Sequence, residues 1–497
     1  MASLYVLLAA VVLVILRSLS TARSRSQRAK SLGCLPVNKY PHTHLLGYDL
    51  YRARLKAVLD GRRNGFDREL FANYGATYQE RANLSTIINS TETANFQAVG
   101  ATQFQVFGRD TRRAAAPFFG CGILSMNGPE WKQTRDLVTP LFKRAELLDI
   151  EYFKKYVDRL FALLPLDGST VDMQPLLQKL FLDSSTEFIF GESIDSLRDT
   201  TTKSQDFLQA FNAALAGAGK RLNMGGAFSF IYAFDKSWEK SYTQVHAFID
   251  GRIKKYYEKA AEKEPALEGS RRRYVLLDGM VKHFPDPVEL RFQLLNIFFP
   301  ARDTSAILVS NALFLLARNP QYWKELRQEA LKIQDEPITF ELLKGLHLFR
   351  YTLFEAIRLL GPSGQVRRIA LRDTTLPRGG GPDGSAPVFV RKGTGVFLNN
   401  FPKMRDTDVW GDDIEAFRPN RFEGKVLTWE FTPFFGGPRI CPAINQVISQ
   451  SVYLLVRLVL RFEMVENRDE CLEYIEATRM LVESRNGIKV AFHLDAT

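Results

Sequence analysis

A mainly α-helical fold with small β-sheets is predicted for this chain of 497 residues, and three observations predict it. Apolar residues recur at helical spacing through most of residues 50–270. Strand signals are few and gather late in the chain, and Leu294 to Leu316 reads as one long apolar helix. A hydrophobic content of 45% and a charged content of 24% are ordinary for a globular body, and the length is enough for a large core.

The first element is apolar. Met1 to Leu16 carry almost no polar residue, and Arg17, Arg23, Arg25, Arg28 and Lys30 follow. A cleaved signal peptide carries its charge ahead of the apolar run. Here the charge comes after it, so the positive-inside rule places the bulk of the chain in the cytosol. Residues 1–20 are therefore read as a transmembrane signal anchor in the lipid bilayer, residues 21–45 as a basic, proline-containing linker, and residues 46–497 as the catalytic body. The run is short for a span of about 20 residues, but Leu19 and the thin endoplasmic reticulum bilayer compensate. The expected location is that membrane, crossed once. The glycosylation sequons at Asn83 and Asn89 are then expected to stay unmodified.

The four cysteines, Cys34, Cys121, Cys441 and Cys471, form no close pair, which excludes a zinc signature or disulfide framework and fits a reducing compartment. A net charge of +11 suits an anionic membrane surface or an acidic protein partner. Arg271-Arg272-Arg273 is the longest basic run, so no nucleic-acid partner is expected.

Farther along, Phe153, Val157, Leu160 and Leu164 share a helical face, as do Phe207, Leu208, Phe211 and Leu215. The charged segment Lys259 to Arg273, with Pro265 and Gly269, reads as a loop. Two hairpins are expected. Lys392-Gly393 would join 388–390 to 396–398, and Asn486-Gly487 would join 480–482 to 488–492. From Ile444 to Phe462 the apolar spacing is again helical, with Pro442 suited to the first helical position and Cys441 to the N-cap. There the amide dipoles favour a thiolate.

Four constellations carry chemistry. Phe434-Phe435-Gly436-Gly437-Pro438-Arg439-Ile440-Cys441-Pro442-Ala443 concentrates glycines, prolines, an arginine and a cysteine in ten residues. Glu355 and Arg358 are three apart in an apolar helical segment and can pair. Trp131 and Arg135 are four apart on one helix face, where a cation–π pair is possible. Asp303, Thr304 and Ser305 interrupt the long apolar helix and need partners if buried. Pro300, just before them, cannot donate to the Asn296 carbonyl, and a kink is expected there.

Phe434-x-x-Gly437-x-Arg439-x-Cys441 resembles the haem-binding loop of the cytochrome P-450 superfamily. The other constellations match that family in its own order, across the whole chain. The resemblance implies that Cys441 ligates haem iron through its thiolate. It implies that Trp131, Arg135, Arg439 and Arg368 serve the haem propionates, and that Glu355, Arg358 and the later Arg421 form a buried structural network. It gives Asp303 and Thr304 the oxygen-side proton chemistry. Pro300, Ala301 and Ala443 depart from the family pattern, which favours a specialised-metabolite enzyme. The stretches Phe118 to Ile123 and Thr374 to Gly384 resemble fungal alkane- and fatty-acid-hydroxylating members, so terminal hydroxylation is the alternative. An oxygen-independent isomerase or dehydratase, or a non-catalytic membrane protein, competes less well. The implied activity is monooxygenation of a lipophilic substrate, with electrons from NADPH through a cytochrome P-450 reductase.

Overall fold

The computed structural model describes residues 2–109, 112–146, 149–198, 202–224, 234–261 and 275–495. The N-terminal helix runs from Ala2 to Ser31, about 45 Å at the rise of an α-helix. Its apolar half lies against no other part of the protein, and the helix continues through the basic stretch. Beyond Gly33 the linker is docked: Leu35 N–H donates to the Pro387 carbonyl (3.0 Å) and Gly381 N–H to the Pro36 carbonyl (2.9 Å).

Phe153, Val157 and Leu160 are buried on the helix Asp149–Phe161, and Phe207, Phe211 and Leu215 on the helix Thr202–Met224, as their spacing requires. The helix Lys236–Ala261 runs into the charged segment expected as a loop, and the remainder of that segment lies outside the described residues. The central helix, Pro287–Arg318, is 32 residues long. Asp286 caps it by accepting the Val288 N–H (3.0 Å), and Pro287 opens it where no N–H is needed. This helix passes through two apolar cores. Leu290 to Phe299 pack with Phe118, Phe207 and Phe211, whereas Ala306 to Ala317 pack with Phe153, Leu353 and Leu455. Arg302, Asp303, Thr304 and Ser305 fall in the seam between the two. The helix is continuous through Pro300.

The strands in chain order are β1 (Asn38–Lys39), β2 (Thr77–Ala82), β3 (Ser85–Ser90), β4 (Phe107–Gly108), β5 (Val171–Asp172) and β6 (Gln365–Ala370). Then come β7 (Thr374–Gly380), β8 (Ala386–Val390), β9 (Gly395–Asn399), β10 (Met464–Asn467), β11 (Glu476–Thr478), β12 (Val482–Ser484) and β13 (Lys489–His493). The largest sheet has the order β1-β2-β3-β9-β6-β4.

Neither expected hairpin forms. β8 pairs with β7, while β9 lies between β3 and β6. The Lys392-Gly393 turn is present, but its amides serve other partners: Lys392 N–H goes to Asp373 (2.7 Å) and Gly393 N–H to the Ala370 carbonyl (2.8 Å). Likewise β12 pairs with β11, and β13 lies between β10 and β5. Asp172, which caps the helix Met173–Phe190, accepts the Ile488 N–H (2.8 Å) and draws β13 toward β5. The final long helix starts at Ile444 with Ala443 at its N-cap, so Cys441 stands ahead of the helix and not on its cap. Asn89 is buried in β3 and donates to Glu80 (2.8 Å), a placement closed to a glycan.

Candidate active site

The cysteine loop is built by tight turns. Cys441 N–H donates to the Phe434 carbonyl (3.1 Å) and Ile440 N–H to the Gly437 carbonyl (3.0 Å), closing the loop on itself. Gly437 has φ +63°, and a Cβ there would lie 2.1 Å from the Gly100 carbonyl oxygen, so only glycine fits. Phe435 also has positive φ, 61°, an unusual state for a bulky residue. Its neighbour Gly436 passes against the ring of Trp429, 2.6 Å from where a Cβ would stand. Burial pushes the Cys441 thiol up, against the Ala443 amide and the Arg135 guanidinium, which pull it down.

Arginines gather around this loop. Arg439 lies 4.3 Å from the Trp131 ring centroid and donates to the Met126 carbonyl (2.8 Å) and to Asn127 (3.2 Å). The cation over Trp131 is thus Arg439 and not Arg135, which is expected there from its spacing and whose charge acts on the Cys441 thiol. Arg368 of β6 is buried, 4.8 Å from the Phe435 ring centroid. Arg109 joins them because β4 pairs with β6, Gly108 opposite Ile369. Burial and mutual repulsion hold Arg368 well below the ordinary arginine range, and Arg439 falls to about 9 for the same reasons. Arg109 falls to about 10 through burial alone. Among the described residues, no carboxylate acts on these four arginines. The Nε atoms of Arg109 and Arg439 are buried and have no hydrogen-bond partner among the described residues. A group bearing two carboxylates fits this donor set, because guanidinium groups taken from water without an anion are costly. Arg109 was missed in the sequence, where no motif surrounds it; only the strand pairing brings it to Arg368.

Behind the loop, Glu355, Arg358 and Arg421 have fully buried side chains. Arg358 holds Glu355 with both Nε (2.7 Å) and Nη2 (2.8 Å), and Arg421 Nε reaches the same carboxylate at 2.7 Å. The remaining guanidinium hydrogens go to the carbonyls of Met404, Ile414, Trp410, Asp413 and Ala416 at 2.8 to 3.4 Å and to the Asp413 carboxylate at 3.1 Å. The spacing of Glu355 and Arg358 predicted their pairing; the carbonyl shell could not be read from it.

On the central helix, the Thr304 hydroxyl donates to the Pro300 carbonyl (2.7 Å). Arg302 Nη1 lies 3.1 Å from Asp303 Oδ1, and burial pushes the Asp303 carboxyl up despite that cation.

A helical body, a tight glycine-built loop carrying Cys441, and a cluster of buried and half-buried arginines suit the binding of an acidic group. The chain belongs to the cytochrome P450 family, whose sequence model matches residues 54–492. It is 35% identical over 491 residues to the cytochrome P450 monooxygenase iccC of Talaromyces variabilis, covering 97% of this chain and 96% of that relative. It is 38% identical over 413 residues to iliC of Hypocrea jecorina, covering 81% and 90%. With tenA of Beauveria bassiana it shares 34% over 503 residues, covering 98% of each. All three are fungal cytochrome P450 monooxygenases by name. The chain is therefore a haem-thiolate monooxygenase that takes electrons from a redox partner and acts on lipophilic substrates.

Proposed function

We propose that this chain is a membrane-anchored monooxygenase that oxidises a lipophilic intermediate of a fungal specialised-metabolite pathway, in which the Cys441 thiolate would hold the haem iron. The observation that carries this is the set of buried and half-buried arginines around the Cys441 loop on which no carboxylate among the described residues acts. Arg135, Arg368 and Arg439, with Arg109 beside them, would hold the two propionates of haem. Trp131 supports Arg439 through its ring face, while Phe434 and Gly437 set the loop. Glu355, Arg358 and Arg421 fix the segment behind it. When bound, haem activates molecular oxygen with two electrons and places one oxygen atom in a substrate C–H bond. Thr304 and Asp303 would hold and pass the proton, Thr304 through its hydroxyl and Asp303 through a carboxyl that burial pushes up.

The exposed apolar helix and the arginines following it support a single-pass anchor in the endoplasmic reticulum with the body in the cytosol. The charge of +11 suits an acidic NADPH-dependent reductase on the same membrane. Pro300, Ala301 and Ala443 support a pathway-specific substrate over a general alkane.

The test uses the full-length haem-loaded protein. After reduction and exposure to carbon monoxide, the Soret band is expected at the long-wavelength thiolate position, and Cys441→Ser is expected to lose it. A variant that keeps the band removes Cys441 from the iron. Spectral titration with long-chain fatty acids and with polyketide or terpenoid intermediates then separates the substrate classes. A response to fatty acids alone would replace the pathway reading with terminal hydroxylation.

A further inference from the structure

Beyond the central helix lies a cluster that the haem site does not use. The turn between β11 and β12 brings Arg479 and Glu483 against the helix Thr202–Met224 and the central helix. Between them is a cavity of about 30 Å³ lined by Asn212, Leu215, Ile307, Met480, Arg479 and Glu483. That is room for about two waters, and three of the lining side chains offer hydrogen bonds.

The cluster leads from solvent to the interior. Arg479 is half exposed, and its Nη1 lies 3.2 Å from Glu483 Oε1; the Glu483 side chain is only 12% exposed. The other Glu483 oxygen accepts from Gln178 Nε2 at 3.0 Å. Across the cavity, Asn212 Oδ1 accepts from Arg302 Nη1 at 3.1 Å, and the same nitrogen pairs with Asp303. Arg302 is 1% exposed, and its Nε and Nη2 have no partner among the described residues. Buried donors of that kind are ordinarily met by water.

We propose that Glu483 is the outer station of a hydrated proton route that enters beside Arg479, crosses the Asn212 cavity and ends on the Asp303 carboxylate. A proton from solvent water binds a Glu483 oxygen, passes along the cavity waters and binds an Asp303 oxygen. Each carboxylate regains its charge on passing the proton inward, and no electron moves. Arg302, Arg479 and Asp303 are the charged groups facing Glu483, with Gln178 as its neutral partner. Burial and the Asp303 charge push the Glu483 carboxyl up, while Arg479, Arg302 and Gln178 oppose this. Its proton is thereby held nearer neutrality than on an exposed glutamate. Glu483 acts through Asp303 and is a positioning residue. The route rests on the proton role given above to Asp303.

Two measurements test it on the haem-loaded, full-length enzyme. In infrared pH-difference spectra of the resting protein, a buried carboxyl C=O band titrating above the ordinary carboxylate range is expected. Glu483→Gln should remove that band, and Asp303→Asn should shift the midpoint of what remains. With reductase, NADPH oxidation in Glu483→Gln is expected to fall about tenfold, with a larger solvent-deuterium effect and recovery in Glu483→Asp. Asp303→Asn should lose about a hundredfold, the scale of direct acid–base assistance. Arg479→Gln, altered at a half-exposed position, serves if Glu483→Gln does not hold haem, and is expected to show the same isotope signature. A full Asp303→Asn effect beside unchanged band, rate and isotope effect in Glu483→Gln would overturn the route alone. An inert Asp303→Asn would instead overturn the role of Asp303 and the route with it.

Discussion

Arg358 uses all of its hydrogen-bonding nitrogens: Nε and Nη2 meet Glu355, and Nη1 meets the carbonyls of Met404 and Ile414. Removing such a side chain leaves Glu355 buried beside Arg421 with half its charge compensation gone. Arg358→Ala is expected to destabilise the fold by about 3–5 kcal/mol, the usual cost of breaking a buried pair, measured by denaturant unfolding. Lysine cannot restore the fork geometry, so Arg358→Lys should recover little of this. The arginines around Cys441 behave in the opposite way. Burial and mutual repulsion work against their charge, so under the proposed haem-binding role each would serve binding at the expense of stability.

The central helix shows how an element divides labour. Its two halves belong to two cores, and the polar residues Arg302 to Ser305 occupy the seam between them. Pro300 removes one N–H at the edge of that seam, and the Thr304 hydroxyl binds the carbonyl of the same proline. Pro300→Ala restores the donor to the Asn296 carbonyl. It is expected to lower coupling of oxygen use to product formation, read as peroxide released per NADPH; unchanged coupling would make Pro300 a neutral departure. The β11–β12 pair is tied to the N-terminal part of the body through Glu476, which accepts the Asn64 N–H (3.0 Å) at the start of the helix Arg63–Tyr74. Burial pushes Glu476 from 4.5 up to about 7, with Asp67 raising it further and Arg63, Arg405 and the Asn64 amide opposing. The folded protein therefore binds this proton more tightly than the unfolded chain. Its contribution is fully present below about pH 4.5 and is lost as pH rises through about 7. Glu476→Gln is expected to abolish that part of the fall in thermal midpoint between pH 5 and 8, as followed by circular dichroism.

At the scale of the whole molecule, the body is tethered to its N-terminal helix by a docked linker. Arg25 pairs with Asp373 at 2.9 Å, and Val37 bridges to Gly380, so the helix leaves the body beside the β7–β8 pair. The ion pair is partly exposed and adds little stability; the backbone bonds of Leu35 and Gly381 set the exit point. Deleting residues 2–31 is expected to leave the haem spectrum intact and to abolish co-flotation with anionic vesicles. A truncated protein that floats as before would show that the body carries its own membrane contact.

The sequence by itself determined the helical class, the apolar N-terminus and the local constellations around Cys441, Glu355, Trp131 and Thr304. Each depends on residues a few positions apart, so spacing alone places them on one helix face or in one turn. Strand pairing was beyond it. Lys392-Gly393 and Asn486-Gly487 do make turns, yet the flanking strands find better partners, β3 and β6 in one case and β5 and β10 in the other. The tertiary structure also decided which cation covers Trp131, that Arg109 stands beside Arg368, and that Glu483 and Asn212 line one cavity. Those contacts join segments tens to hundreds of residues apart. Only the packed sheets and helices bring the charges close, and only burial there gives them their strength.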